Sequence, residues 1–288
     1  MTTTPDDRAG RHCHNALNPL HSAVYFAPDL AKELAPYGIE DPSAVYFAGR
    51  AAAMGAVSAG TVTAAFYNFS HHLISRFLPE VWDFASPSTV LAARMRAVDA
   101  MLRRLLGDDA VASPQMREAA DLALRAAEGC TRPGRPLYAA HADLPVPDDA
   151  HLALWHAATL LREHRGDAHI AVLQHAELDP LEALVSHSAS GRGMVPSFLL
   201  TTRGYNEQDW HGAQDRLRDR GLLDEAGDLT ESGLTLRKRL ETETDRLDGR
   251  PYAALGADGT ARLTELAGGF TATALGNGAF PGEVFGKG

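Results

Sequence analysis

Thirteen histidines occur in this chain of 288 residues, and eight of them fall between His141 and His211. Imidazoles titrate near neutral pH, so such a concentration can supply acid–base groups or metal ligands. The densest set is Arg162-Glu163-His164-Arg165-Gly166-Asp167-Ala168-His169. It follows the helix pattern HLALWHAATLLREH, which Gly166-Asp167 is expected to stop. On that reading Arg165, Asp167 and His169 project from an irregular turn, with Asp167 orienting an imidazole. His164, Asp167 and His169 then form an acid–base set. The competing reading is that Arg162, His164 and Arg165 complement the dipole and free carbonyls of a last helical turn.

Metal chemistry has less behind it. His156 and His164 are separated by about 80° around a helix of 3.6 residues per turn and do not share a tight face. The chain has no HExxH and no CxxC pair, so no metal ligand and no cofactor is assigned, and haem or a metal held by histidine stays an alternative. His12, Cys13, His14 and His21 suit adventitious binding better than a built site. GxSxG, GxGxxG and GxxxxGK loops are absent too, which removes common hydrolase and nucleotide-binding readings.

A second constellation is aromatic. Phe66, Tyr67, Asn68, His71 and His72 combine apolar faces with polar tips, as small-molecule pockets do and as ordinary cores also do. With Trp155, His156 and Arg165 they are the candidate ligand-binding residues, lining a pocket between two halves of the chain.

The elements that must position these residues are nearly all helical. Residues 1–15 read as a disordered polar terminus, 16–130 as an N-terminal helical domain, 131–149 as a Pro- and Gly-rich connection, 150–250 as a helical linker with a winged helix, and 251–288 as a tail. Ala59 to Leu78 reads as one long apolar helix ended by Pro79. A second, degenerate helix-turn-helix is an option around Met54 to Gly60. From Ser86 a helix runs to Gly107, with Arg94, Arg96, Arg103 and Arg104 expected on its solvated face.

The clearest local pattern lies from Leu181 to Leu247. Leu181, Leu184 and Val185 space one helix; Pro196 opens a second that Gly204 ends; Asn206, with Asp209 three residues on, caps a third that runs to Gly221. Leu222-Leu223 and Leu229-Thr230 then read as two very short strands around Asp224 to Asp228, before a last helix from Thr230. The segments DRLRDRGLL and LTESGLTLRKRLE resemble the MarR-type winged helix. FYNFS, LWHAATLLREHRGDAHI and TTRGYNEQDW resemble actinobacterial proteins known as helix-turn-helix family proteins. The resemblance implies a mainly α fold, an N-terminal helical domain packed on a C-terminal winged helix, and no particular reaction.

Charge argues against nucleic acid. Residues 200–248 carry eight basic and twelve acidic side chains, a balance of −4, inside a chain of net charge −10 and pI near 5.7. Duplex binding draws most of its affinity from Lys and Arg on phosphates. No run is long enough to span a bilayer, two cysteines are too few for a disulfide framework, and the N-terminus shows no signal-peptide core, so a cytoplasmic location is expected. The leading expectation is a small-molecule binder on a repurposed winged helix, with acid–base histidines. The alternative is a dimeric, MarR-like regulator contacting DNA through Asn206, Gln208, Arg216 and Arg220.

Overall fold

The computed structural model describes residues 8–282, 284 and 285. Residues 1–7 of the polar terminus, with 283 and 286–288 of the tail, lie outside the described residues. In chain order the helices are α1 (Ala9–Ser22), α2 (Asp29–Leu34), α3 (Pro42–Ala51), α4 (Ala59–Phe66), α5 (His71–Ile74), α6 (Val81–Phe84), α7 (Pro87–Leu106) and α8 (Asp108–Val111). They continue as α9 (Pro114–Ala127), α10 (Pro136–Ala142), α11 (Ala150–His175), α12 (Pro180–Ala189), α13 (Pro196–Arg203), α14 (Glu207–Asp219), α15 (Glu231–Leu255) and α16 (Ala257–Gly276). The chain divides into two compact units. The first comprises Met1–Val57, Pro79–Ala168 and Asp245–Phe280; the second comprises Ser58–Leu78, His169–Thr244 and Pro281–Gly288.

The first unit is built around α7, α1 and α16. Val90, Ala93, Ala97, Val98, Met101 and Leu105 of α7 are fully or almost fully buried, the i, i+3, i+4 spacing of an inward helical face. Arg94 lies on that same face and is buried, contrary to the solvated face expected for it; Arg96, Arg103 and Arg104 are exposed. α1 packs along α16, which also packs on α9.

Two helices run through residues expected to break them. α11 continues past Gly166 to His175, because its burial on both sides outweighs the roughly 1 kcal/mol an interior glycine costs. α15 continues past Pro251. Proline there cannot donate to the Leu247 carbonyl one turn back, and Arg135 Nη2 donates to that carbonyl instead, at 2.9 Å. The expected long helix from Ala59 is, in turn, broken. Tyr67 takes a positive φ of 60° after α4, and its hydroxyl donates to the Leu178 carbonyl at 2.5 Å.

The second unit holds a helix-turn-helix of α12, α13 and α14. Asp179 closes a capping box with Glu182 on α12, and Asn206 closes one with Asp209 on α14. Gly204 ends α13 at φ +75°, where a Cβ would come within 2.4 Å of Ser70 Oγ. Trp210, Ala213 and Leu217 of α14 are buried, as are Leu181 and Val185 of α12.

The expected wing does not form. Among the described residues there is no β-strand, only two isolated bridges, Met194 with Phe285 and Leu223 with Leu229. Gly221 is still closing α14 and Thr230 already caps α15, donating its N–H to the Leu222 carbonyl at 3.1 Å and accepting from Gly233 N–H at 3.1 Å. Between them Asp224 to Asp228 is one turn, so a single residue pair is left where a ladder would need several. The winged-helix fold and the MarR-like assignment are therefore corrected to a helix-turn-helix among described residues whose regular elements are all helical.

Candidate functional site

Polar side chains concentrate inside the first unit, in two neighbouring clusters along α11. In one, Glu163 is 1% exposed and accepts from Arg50 Nε and Nη2 at 3.3 and 3.2 Å and from Arg162 Nη1 at 2.6 Å. The two guanidiniums hold its carboxyl far below the ordinary range against the opposing effect of burial. Thr159 Oγ1 donates to the Trp155 carbonyl at 2.9 Å and so accepts from His21 Nδ1. His21 Nε2 is left bare to accept from the Tyr25 hydroxyl at 3.2 Å. The bonding fixes His21 as a neutral ring, stacked on Trp155 at 5.3 Å; burial likewise pushes its pKa well down.

The other cluster pairs residues far apart in sequence. His164 Nδ1 donates to Asp248 Oδ1 at 2.6 Å, and both side chains are all but inaccessible. Arg165 Nη1 reaches Asp245 at 2.8 Å, and Arg11 closes on the same carboxylate. Arg135 donates to the His164 carbonyl, which ties α10's entry to α11. Asp167 Oδ2 caps α10 by accepting from Tyr138 N–H at 3.0 Å, and the Tyr138 ring stands edge-on to His164 at 5.3 Å. Burial pushes the Asp167 carboxyl up to about 6 despite that bond. His164 Nε2, Asp248 Oδ2, Asp167 Oδ1 and Tyr252 Oη are buried without a hydrogen-bond partner.

The residues singled out from sequence are thus dispersed. His164, Asp167, Trp155, His156 and Arg165 belong to the first unit; His169, Phe66, Tyr67, Asn68, His71 and His72 belong to the second. Because α11 is continuous, His169 sits about 140° around it from His164; its Nδ1 donates to Thr244 Oγ1 at 2.8 Å. Phe66 and Phe69 are buried against each other, whereas His71 and His72 are exposed. Asp248 and Arg50 escaped the sequence reading, which named Glu163, Arg94 and His141 without giving them a role at a site. For Arg94 a signal existed, its register with Val90, Ala97 and Met101; for Asp248, 84 residues from its histidine, none did.

In the second unit three of the four candidate DNA-contacting residues are engaged within the protein. Asn206 is spent on its capping box. Arg216 donates to Asp179 Oδ2 at 2.6 Å and Glu182 Oε1 at 3.0 Å; Arg220 donates to Glu182 Oε2 at 3.0 Å and to the carbonyls of Ala176 and Glu177. Arg218 pairs with Asp215. Gln208 is exposed on the first turn of α14. A family model described as "Helix-turn-helix family" matches residues 10–281. The chain belongs to the helix-turn-helix family. No curated protein and no solved structure matches it.

For this helix-turn-helix protein, both functional expectations built on a winged helix are overturned with the missing wing: the small-molecule binder with acid–base histidines, and the MarR-like regulator. Among the described residues no group of three or more His, Cys, Asp or Glu side chains is placed to hold a metal ion, and none of the helices they form is long and apolar enough to cross a membrane.

Proposed function

We propose that this helix-turn-helix protein acts by docking a basic protein segment on the outer face of α14 and the turn that follows it. One observation carries the reading: every arginine of residues 204–231 is engaged by a carboxylate of its own unit, while Glu207, Asp219, Asp224, Glu225 and Glu231 stand exposed. Freeing Arg216 and Arg220 for phosphates would strip Glu182, which is 5% exposed, of its partners. A buried acceptor left bare costs on the order of 1–3 kcal/mol, and the exposed carboxylates would add repulsion from a duplex. A cationic helix or tail meets the opposite balance, with complementary charge steering its approach.

The test is fluorescence anisotropy with two labelled probes at near-physiological salt, an arginine-rich peptide and a random-sequence duplex. The peptide should bind and the duplex should not, and Glu207→Lys with Glu225→Lys should weaken the peptide about tenfold or more, as two charges of about 0.7 kcal/mol each would. Duplex binding tighter than peptide binding, with a steep salt dependence, would refute the reading.

A further inference from the structure

Arg94 is 4% exposed and has no carboxylate partner. Its Nη1 donates to the Gly49 carbonyl at 2.8 Å and to His141 Nε2 at 3.3 Å, and its guanidinium stacks over Trp155 at 5.3 Å. All three partners are neutral. His141 Nδ1 donates to the Leu137 carbonyl at 2.9 Å, which leaves Nε2 as the bare acceptor, and burial beside Arg94 holds this imidazole down at about 3. Arg94 Nε is buried with no hydrogen bond, and Nη2 makes none among the described residues.

The unused edge is the one formed by Nε and Nη2. Arg50, in the same unit, uses that very edge to grip the two oxygens of Glu163 at 3.3 and 3.2 Å, the side-on fork that matches a carboxylate. The surrounding charge is also short of anions. Arg50 and Arg94 are buried and Arg162 is three-quarters buried; Glu163 bonds to Arg50 and Arg162 and acts on Arg94 only through space; His21, His141 and His156 are held neutral. An isolated buried guanidinium is among the costliest arrangements in a protein interior unless an anion accompanies it. The His156 side chain, buried in the same unit, feels the charge of Arg94 and supplies a second polar tip. A planar carboxylate meets the Nε–Nη2 edge in the plane of the guanidinium.

We propose that the first unit binds the carboxylate of a small organic acid as the counter-ion of Arg94, gripped side-on by Nε and Nη2 with His156 beside it. The site is independent of the acidic face of α14, and its failure leaves that reading untouched.

Thermal unfolding of the full chain at pH 7 and constant ionic strength, titrated with sodium acetate or with sodium chloride, tests it. Acetate should raise the Tm saturably and chloride should not. Arg94→Lys, which keeps the charge and loses the fork, should weaken acetate binding about tenfold or more. His156→Gln, which keeps a polar tip, should weaken it less. Because Arg94→Lys can fail to fold, crystals of the wild-type protein grown with acetate and, separately, with chloride at the same ionic strength supply a second reading: a planar difference-density peak beside the Nε–Nη2 edge with acetate alone supports the site. Equal responses to acetate and chloride, or no peak at Arg94, would overturn it.

Discussion

Arginine is used in opposite ways in the two units. Around Glu163 in the first unit, guanidiniums are largely buried and outnumber the carboxylates that bond them: Arg50 and Arg162 share Glu163, and Arg94 has no carboxylate hydrogen bond. In the second, Arg216 and Arg220 lie at the surface and converge on Glu182, with further carboxylates left over. Buried charge makes the interior of the first unit dependent on every partner, whereas half-exposed charge in the second is screened and forgiving. The first arrangement suits an internal anion; the second leaves an acidic exterior.

The largest separation between the units should come from removing the shared carboxylate of each. Glu163→Gln leaves two buried guanidiniums facing neutral groups and should cost about 3–5 kcal/mol in urea unfolding at pH 7. Glu182→Gln, whose guanidinium partners turn to solvent, should cost about 1 kcal/mol. Equal losses would mean that burial is not what distinguishes the two networks.

A pH series sharpens the contrast further. Asp167 has its folded pKa raised from 3.8 to about 6, so the folded state holds the proton more tightly than the unfolded chain. Stability from this group is intact below about pH 4 and falls as pH rises through about 6, by roughly 3 kcal/mol at about 1.4 kcal/mol per unit. Asp167→Asn keeps an oxygen for Tyr138 N–H and removes the titration. The variant should match wild type near pH 4 and exceed it at pH 7. A wild-type profile that is flat from pH 4 to 6 would show that Arg50 and Arg135 neutralise Asp167 after all.

Backbone proximity gives the next effect in size. A Cβ on Gly233 would lie 2.2 Å from the Leu222 carbonyl oxygen and 3.0 Å from Leu229 Cδ2, so Gly233→Ala must push α15 off the turn that precedes it. A loss of about 1–3 kcal/mol is expected. Gly249→Ala, which meets nothing within 4 Å, should gain a little from helix propensity. The pair separates a packing role from a merely weak helical residue.

How much of this was legible depended on range. The cap of α14 and the left-handed Gly204 are local chemistry, visible in NEQD and TTRG, and with the spacing of Leu181, Leu184 and Val185 they place the helix-turn-helix within a residue or two. The two short apolar pairs around Asp224 to Asp228 also looked local, but a hairpin needs strand length, and the flanking helix ends consume it. Gly166 and Pro251 looked like stops because the partners that offset them, the packing around α11 and the Arg135 bond to the Leu247 carbonyl, come from distant segments. The same holds for the site. His164 was visible as a histidine in an unusual place, while Asp248 and the missing partner of Arg94 exist only in three dimensions.

The smallest effect tests the locally legible part. Asn206→Ala removes the side-chain acceptor for Asp209 N–H at 2.9 Å while Asp209 still accepts from the backbone N–H at position 206. A lost cap costs about 1 kcal/mol, and because both groups are exposed, water replaces part of the bond. The loss should appear as faster hydrogen exchange at residues 207–210, with the buried amides around Glu163 unchanged. If exchange quickens in both units together, α14 does not open by itself, and the contrast between a self-contained second unit and a charge-dependent first one would have to be abandoned.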